Sequence, residues 1–469
     1  MIFTSSRVAR HNEGMGESFR IEHDSMGEMR VPADALYGAH TQRAVENFPI
    51  SRLRFDRAFL RALGLIKSAG AHVNGEIGAL PAATAAAIEQ AAEEVADGRH
   101  DEQFVIDVFQ TGSGTSTNMN ANEVIATRAS AILGAPVHPN DHVNRSQSSN
   151  DVFPAALHIA AVETVRGELT PAIGVLHAAL DRKRAQFWDV LKIGRTHLQD
   201  AVPMRLGQEF GGYARQVELC SDRILHATEE LYALPLGGTA VGTGINAPPD
   251  FARRTIAYIA ERVGVPFVEA QDHFEAQAAR DAAAFLAGAL KNYALALTKV
   301  ANDIRWLGSG PRCGLGELRL PEVQPGSSIM PGKVNPVIAE SLLMVCAQVI
   351  GHEAAITWAA AAGSFELNTM MPLIAYDLLE SIHLLAAASR NFAERCVEGL
   401  DADRQRLNEA LQRSLALGTA LTPEIGYERA AELVNAAYAT GRSIGEVARE
   451  KSGIPEQRLK ELLDPRGMI

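Results

Sequence analysis

Apolar residues recur at helical spacing through the middle of the chain. Between Asp272 and about Leu307 there is no proline and a single glycine, Gly288. Phe285, Ala289, Tyr293, Leu297, Val300, Ile304 and Leu307 step by four, four, four, three, four and three. That spacing puts one apolar stripe along a helix and predicts the seam of a bundle. At about 1.5 Å per residue such a helix runs roughly 50 Å. The same period predicts helices near 155–187, with a kink at Pro171, and over 206–233 and 336–361. Strand signals are short, as in RIEHD (20–24). The pattern predicts a mostly α protein with an N-terminal mostly helical domain (1–149), a central long-helix bundle (150–404) and a small helical C-terminal domain (405–469).

Composition narrows the function. Aromatics are only 6% and alanine runs are long, which favours closely packed helices. The formal net charge of −12 argues against nucleic acid or an anionic membrane surface as partner. No apolar run approaches the roughly 18 residues of a membrane span. Cys220, Cys313, Cys346 and Cys396 are scattered, which fits a reducing, cytoplasmic compartment better than a disulfide framework or zinc site. The opening MIFTSSRVARHNEGMGESFR lacks an apolar h-region and reads as a frayed tail, with a mitochondrial presequence as the alternative.

Four polar clusters do not suit helix interiors: TGSGTSTNMN (111–120), SQSSND (146–151), GRTHLQD (194–200) and GSSIMPGKVNP (326–336). Three are placed where a helix begins. In the last, Asn335 reads as N-cap and Pro336 as the first helical residue. Helix starts carry free N–H groups and the positive end of the dipole, so hydroxyl-rich loops there suit a small anion even in an acidic protein. Other patterns are weaker. Gly242-Thr-Gly244-Ile-Asn-Ala247 matches a loose dinucleotide pattern, but a helical segment precedes it and Pro248 and Pro249 follow, which disfavours a nicotinamide oxidoreductase. His138 and His142 have metal-ligand spacing, yet Pro139 lies between them, and a polar turn is the simpler reading.

GSSIMPGKVNP resembles the signature loop of the fumarase/aspartase superfamily. TGSGTSTNMNANEV, VNRSQSSNDVFPAALH, KIGRTHLQDAVP, LGGTAVGTGIN, ANDIRWLGSGPRCGLGE and SFELN follow in order and resemble class II, iron-independent fumarases across nearly the whole chain. The resemblance implies a three-domain fold whose central helices build a twenty-helix core in a homotetramer, with each site shared by three subunits. It implies reversible hydration of fumarate to L-malate, as in the tricarboxylic acid cycle, with no cofactor and no metal. By the same resemblance Ser327 is the base, and His197, kept basic by Glu340 of another subunit, supplies the proton to the departing hydroxyl. Lys333 stabilises charge at both the base and the substrate. Ser113, Gly114, Thr115, Ser148, Ser149, Asn150, Thr196, Ser328, Lys333 and Asn335 grip the dicarboxylate.

A secondary anion site at His138, Asn140 and Asp141 would lack the arginine that many fumarases carry just before this segment. The nearest alternative is aspartate ammonia-lyase, because GTSTNMNANEV and DAVPMRLGQEF lean toward aspartase wording. Aspartases have glutamine where this chain has His197, and chemistry explains the difference. Aspartate's amino group leaves already protonated, whereas malate's hydroxyl needs an acid. A non-catalytic helical scaffold of the same superfamily would be expected to have lost some of Ser327, Lys333, Asn335 and His197; all four are present.

Overall fold

The computed structural model describes residues 18–469. The segment read as a frayed tail lies, up to residue 17, outside the described residues. In chain order the elements are β1 (Phe19–Asp24), β2 (Gly27–Pro32), α1 (Ala39–Asn47), α2 (Arg57–Glu76), α3 (Ala82–Ala96), α4 (Thr115–Leu133), α5 (Ser149–Thr164) and α6 (Thr170–Gln186). Then come β3 (Leu191–Thr196), β4 (Gln199–Arg205), α7 (Leu206–Glu229), β5 (Ala233–Leu234), α8 (Phe251–Val263), β6 (Val268–Glu269), α9 (His273–Ala278) and α10 (Asp281–Leu307). The rest is β7 (Leu318–Arg319), α11 (Val337–Ala361), α12 (Met371–Phe392), β8 (Asp401–Ala402), α13 (Arg404–Arg413), α14 (Thr422–Ile425), α15 (Tyr427–Thr440), α16 (Ile444–Lys451) and α17 (Glu456–Leu462). The protein is mostly α. The strands form four two-stranded pairs, and RIEHD lies in one of them, β1 with β2.

The chain divides into two compact units. The first contains the described residues up to Glu163, then Leu231–Asp281 and Thr357–Tyr376. Its helices pack closely because their contact residues are small. Gly64 of α2 lies against α3, where an added Cβ would meet the Ala96 backbone nitrogen at 2.6 Å. Asp56 caps α2 by accepting from the Phe59 N–H at 3.1 Å. That fixed start seats Phe59 between Phe55 and Phe153, with ring centroids 4.3 and 4.8 Å away. Phe59 and Phe153 are fully buried, and each such ring stabilises the unit by about 1.5–3 kcal/mol. Phe153 belongs to α5, so this cluster also fixes where α5 begins.

The second unit contains Thr164–Glu230, Ala282–Ile356 and Asp377–Ile469. Helix α10 buries Leu286, Leu290, Tyr293, Leu297, Val300, Ile304 and Leu307. The expected seam is therefore correct from Tyr293 onward but wrong at its start, since Phe285 is 48% exposed. The helix also starts later than expected, at Asp281, because α9 ends at Ala278. The kink expected at Pro171 is a π-turn over Val165–Leu169 just before it. Proline has no N–H to offer the carbonyl four residues back, so the preceding turn widens.

A small core of Leu411, Leu417, Leu421, Leu433, Ile444, Val447 and Leu459 packs around Ile193 of β3. It is this C-terminal cluster that seats the β3–β4 hairpin. Two segments, Val337–Ala361 and Met371–Val397, are long and apolar enough to cross a membrane by length and composition alone. That corrects the expectation that no such segment exists: isolated polar residues interrupt the apolar runs but leave the mean hydropathy high. One of these polar residues, Glu353 of α11, is ion-paired with Lys291 at 2.6 Å.

Candidate active site

Three polar clusters are at helix starts, as expected. In the first unit, α4 begins at Thr115 immediately after Gly114, which has φ +72°. A side chain cannot be added there. A Cβ on Gly114 would lie 2.0 Å from the Phe153 ring. The Thr115 hydroxyl meets Ser113 Oγ at 2.8 Å and Ser149 Oγ at 2.6 Å, so two loops 34 residues apart share one hydroxyl chain. Helix α5 begins at Ser149, and Ser148 Oγ accepts from the Asn150 N–H at 3.2 Å. Asn150 Nδ2 donates to the Ala240 carbonyl at 2.8 Å. Ala240 lies in the glycine-rich stretch just before the segment that loosely matched a dinucleotide motif. That stretch is a loop bonded to the start of α5.

His138, Asn140 and Asp141 are exposed in a π-turn over Pro139–Val143. His138 Nδ1 accepts from the N–H groups of Asn140 and Asp141 at 3.2 and 3.1 Å. His142 Nδ1 accepts from the His138 N–H at 3.0 Å. Both histidines thus use one ring nitrogen on their own turn, which accounts for their spacing. Among the described residues no group of three His, Cys, Asp or Glu is placed to hold a metal.

In the second unit, GRTHLQD is no helix start. It is the tip of the β3–β4 hairpin, where Thr196 pairs with Gln199. His197 and Leu198 form the two-residue turn with φ +55° and +61°. Such turns normally use Asn-Gly, because L side chains resist positive φ. Both side chains are exposed, Leu198 at 75%. Along the hairpin's stem, buried Lys192 pairs with Glu209 at 2.8 Å, and Arg195, next to the tip, pairs with buried Glu317. These charges hold the strained tip on a fixed stem.

The signature loop is closed at its neck. The Gly326 N–H donates to the Lys333 carbonyl at 2.7 Å, and Asn335 Nδ2 donates to the Gly326 carbonyl at 2.7 Å. Asn335 is thus occupied with the loop, and the first helical acceptor is the Pro336 carbonyl, which takes the Glu340 N–H at 3.0 Å. The expected cap shifts by one residue: Pro336 is the N-cap and α11 begins at Val337. Ser327 Oγ accepts two backbone N–H groups, from Ile329 at 3.2 Å and Met330 at 3.0 Å. Ser328 and Lys333, on the same loop, are exposed. Lys333, Asn335 and Glu340 line a cavity of about 740 Å³ together with Arg305, Trp306 and Arg319. Neither Ser327 nor His197 lines that cavity. Among the described residues no hydrogen bond or ion pair engages the side chain of His197, Lys333 or Glu340.

Sequence reasoning missed two buried charges behind the Ser148 loop. Asp151 and Lys67 are both fully buried. Burial pushes the Asp151 carboxyl up to about 6 against three amide hydrogen bonds. Burial pulls the Lys67 ammonium down to about 7. A lysine inside the apolar run LGLIKSAG was the legible signal.

A family model described as lyase matches residues 27–351, and one described as fumarase C C-terminus matches 417–469. A fumarate hydratase class II from Xylella fastidiosa is 50% identical over 96% of this chain and 95% of its own length. One from Mycobacterium tuberculosis is 53% identical over 96% and 95%. The crystal structure of a class II fumarase from Schistosoma mansoni superimposes with a TM-score of 0.94 at 39% identity, covering 96% of this chain and 99% of that one. The fold and these similarities define a lyase. The chain belongs to the class II fumarate hydratase family, not to the aspartases.

Substituting Gly114 tests how tightly the two hydroxyl loops are packed. Gly114→Ala forces an L residue into positive φ, at about 1–2 kcal/mol, and overpacks the Phe153 ring, at about 1–3 kcal/mol. Chemical denaturation should show a loss of at least about 2 kcal/mol from these two terms. A loss below about 0.5 kcal/mol, the range of an ordinary surface change, would contradict this packing.

Proposed function

We propose that this chain interconverts fumarate and L-malate by anti elimination and addition of water through a stabilised carbanion. Ser327 takes the C3 proton and His197 protonates the departing hydroxyl. The observation that carries this reading is the pair of backbone N–H groups on Ser327 Oγ. A serine hydroxyl is a poor base in water, and the two amide donors favour its ionised form, as would the Lys333 ammonium if the loop brings it to Ser327 on closing.

The carbon-bound proton lies next to a carboxylate and is barely acidic. Its removal leaves an extra negative charge that preorganised donors must hold, an effect worth several kcal/mol in such sites. The donors proposed for this task are Ser113, Gly114, Thr115, Ser148, Ser149, Asn150, Thr196, Ser328, Lys333 and Asn335. The secondary anion site at His138, Asn140 and Asp141 plays no part in this scheme. The donor set is hydroxyl, amide and ammonium, and with no ligand cluster among the described residues the reaction is proposed to need no metal or cofactor.

The working unit is proposed to be a homotetramer with sites shared by three chains. Supporting this, only 28% of the most apolar window of α11 is buried, and Met344 and Trp358 are 69% and 73% exposed. An apolar face of this kind needs a partner in water. The Glu340–His197 pair is assigned to two different subunits. A cytoplasmic place in the tricarboxylic acid cycle fits this chemistry and the four free cysteines.

The division of labour is tested by exchange of malate's C3 hydrogen with solvent deuterium. Losing a committed general acid or base costs about 10²–10⁴ in rate. Ser327→Ala should lose both turnover and exchange while still binding a dicarboxylate inhibitor. His197→Asn should lose turnover yet retain exchange. Wild-type exchange in Ser327→Ala would transfer the base role to His197.

Shared sites make a second outcome measurable. Inactive Ser327→Ala and His197→Asn chains, unfolded and refolded together, should regain part of the wild-type activity, because mixed tetramers contain some intact sites. Absence of any regain, with mixed tetramers demonstrated by mass, would show that each site draws both residues from one chain.

A further inference from the structure

Behind the substrate grips, one carboxylate bonds two loops at once. Asp151 is the third residue of α5. Its Oδ1 accepts from the Ser148 N–H at 2.9 Å, which completes the cap of that helix. Its Oδ2 points to a different segment and accepts from the Gly237 and Thr239 N–H groups, both at 3.0 Å. These amides belong to the glycine-rich loop after β5, where Thr239 holds φ +55° and Gly237 +97°. A non-glycine residue in that conformation persists only where its surroundings hold it. The loop bonds back through its Ala240 carbonyl, which accepts one Asn150 Nδ2 proton at 2.8 Å and leaves the second for another acceptor.

Lys67 secures the approach to the same turn. Its Nζ donates to Asn144 Oδ1 and Gln147 Oε1, both at 3.0 Å. Asn144 Oδ1 also accepts from Asn118 and Asn122 at 3.2 and 3.1 Å. Asn144 Nδ2 donates to the Gln147 carbonyl at 3.2 Å, immediately before Ser148. A helix cap alone does not require this arrangement. A neutral glutamine fills the same third-residue role in a capping box, and buried charges stabilise a fold little or not at all relative to apolar packing. What the carboxylate adds is a second oxygen, and that oxygen binds the Gly237–Thr239 loop.

Building on the function proposed above, we infer that Asp151 is a positioning residue for dicarboxylate binding. Its two oxygens lock the Ser148–Asn150 turn to the 237–240 loop, so that the Ser148 hydroxyl and the free Asn150 amide proton are held ready for a substrate carboxylate. Charge alone makes the opposite prediction. A buried anion near a dianion site repels the ligand, so neutralising it would tighten binding if charge were its only influence.

Asp151→Asn in the full-length protein separates these cases. The amide must turn an N–H toward at least one loop N–H, so the two loops part. The KM for L-malate and the inhibition constant of succinate, an unreactive dicarboxylate, should rise together by about 10- to 100-fold, the range for losing a hydrogen bond to a charged carboxylate. The kcat should change by less than about 5-fold. A merely structural role would lower the active fraction, so that kcat falls while KM and the succinate constant stay put; that result, or tighter binding, overturns the inference. If Asp151→Asn does not fold, Asp151→Glu, which keeps the charge but displaces the carboxylate by one methylene, is judged by the same two constants. Ser148→Ala serves as the reference. If it raises KM and the Asp151 variants do not, only the positioning role fails. If it too leaves KM unchanged, the site reading fails and this inference with it.

Discussion

A helix start leaves backbone N–H groups without an intrahelical acceptor, and the candidate site is arranged around that constraint. At α4 the start follows a glycine at positive φ, which brings Thr115 up to Ser149. At α5 the free amides are distributed between Ser148 and Asp151, each on the other's segment. Before α11 the same economy appears in the loop itself, where Ser327 takes the amides of Ile329 and Met330. Donors of this kind bind carboxylates without net positive charge. That is how a chain with a formal charge of −12 can serve a dianionic substrate.

Holding those donors in place requires burial of polar groups, and burial carries its own demands. Lys67 and Asp151 have been taken out of water, and each is satisfied by several hydrogen bonds rather than by a single partner. His197, the proposed acid, is placed differently. His197 is at the exposed tip of a hairpin whose stem is anchored by Lys192, Glu209, Arg195 and Glu317. A rigid stem with an exposed, strained tip suits a residue that works against another chain. The exposed apolar face of α11 is the observation behind the proposed assembly.

Much of this was legible from residue order. The cap signal at Asn335 and Pro336 identified the start of α11 to within one residue, and the polar clusters pointed to helix starts without fixing them: the helix read from about 155 begins at Ser149. Local chemistry is enough for that, since caps depend on near neighbours. GRTHLQD did not announce a hairpin, because histidine and leucine in a two-residue turn contradict ordinary turn preferences. Phe285 fits the helical period yet faces outward, since periodicity fixes a stripe only up to the drift of a real helix. The second role of Asp151 was hidden for a plainer reason. Its partners are 86 and 88 residues away, and nothing in a local pattern reports a loop that returns from that distance.

The central claim is that His197 marks a site built to remove water, not ammonia. Mixing the purified protein with L-malate under exhaustive chelation, and separately with L-aspartate, tests it through the ultraviolet absorbance of fumarate. The account predicts a rise with malate, undiminished by the chelator, and none with aspartate. Fumarate appearing from aspartate but not from malate, or malate turnover abolished by chelation and restored by iron, would contradict it.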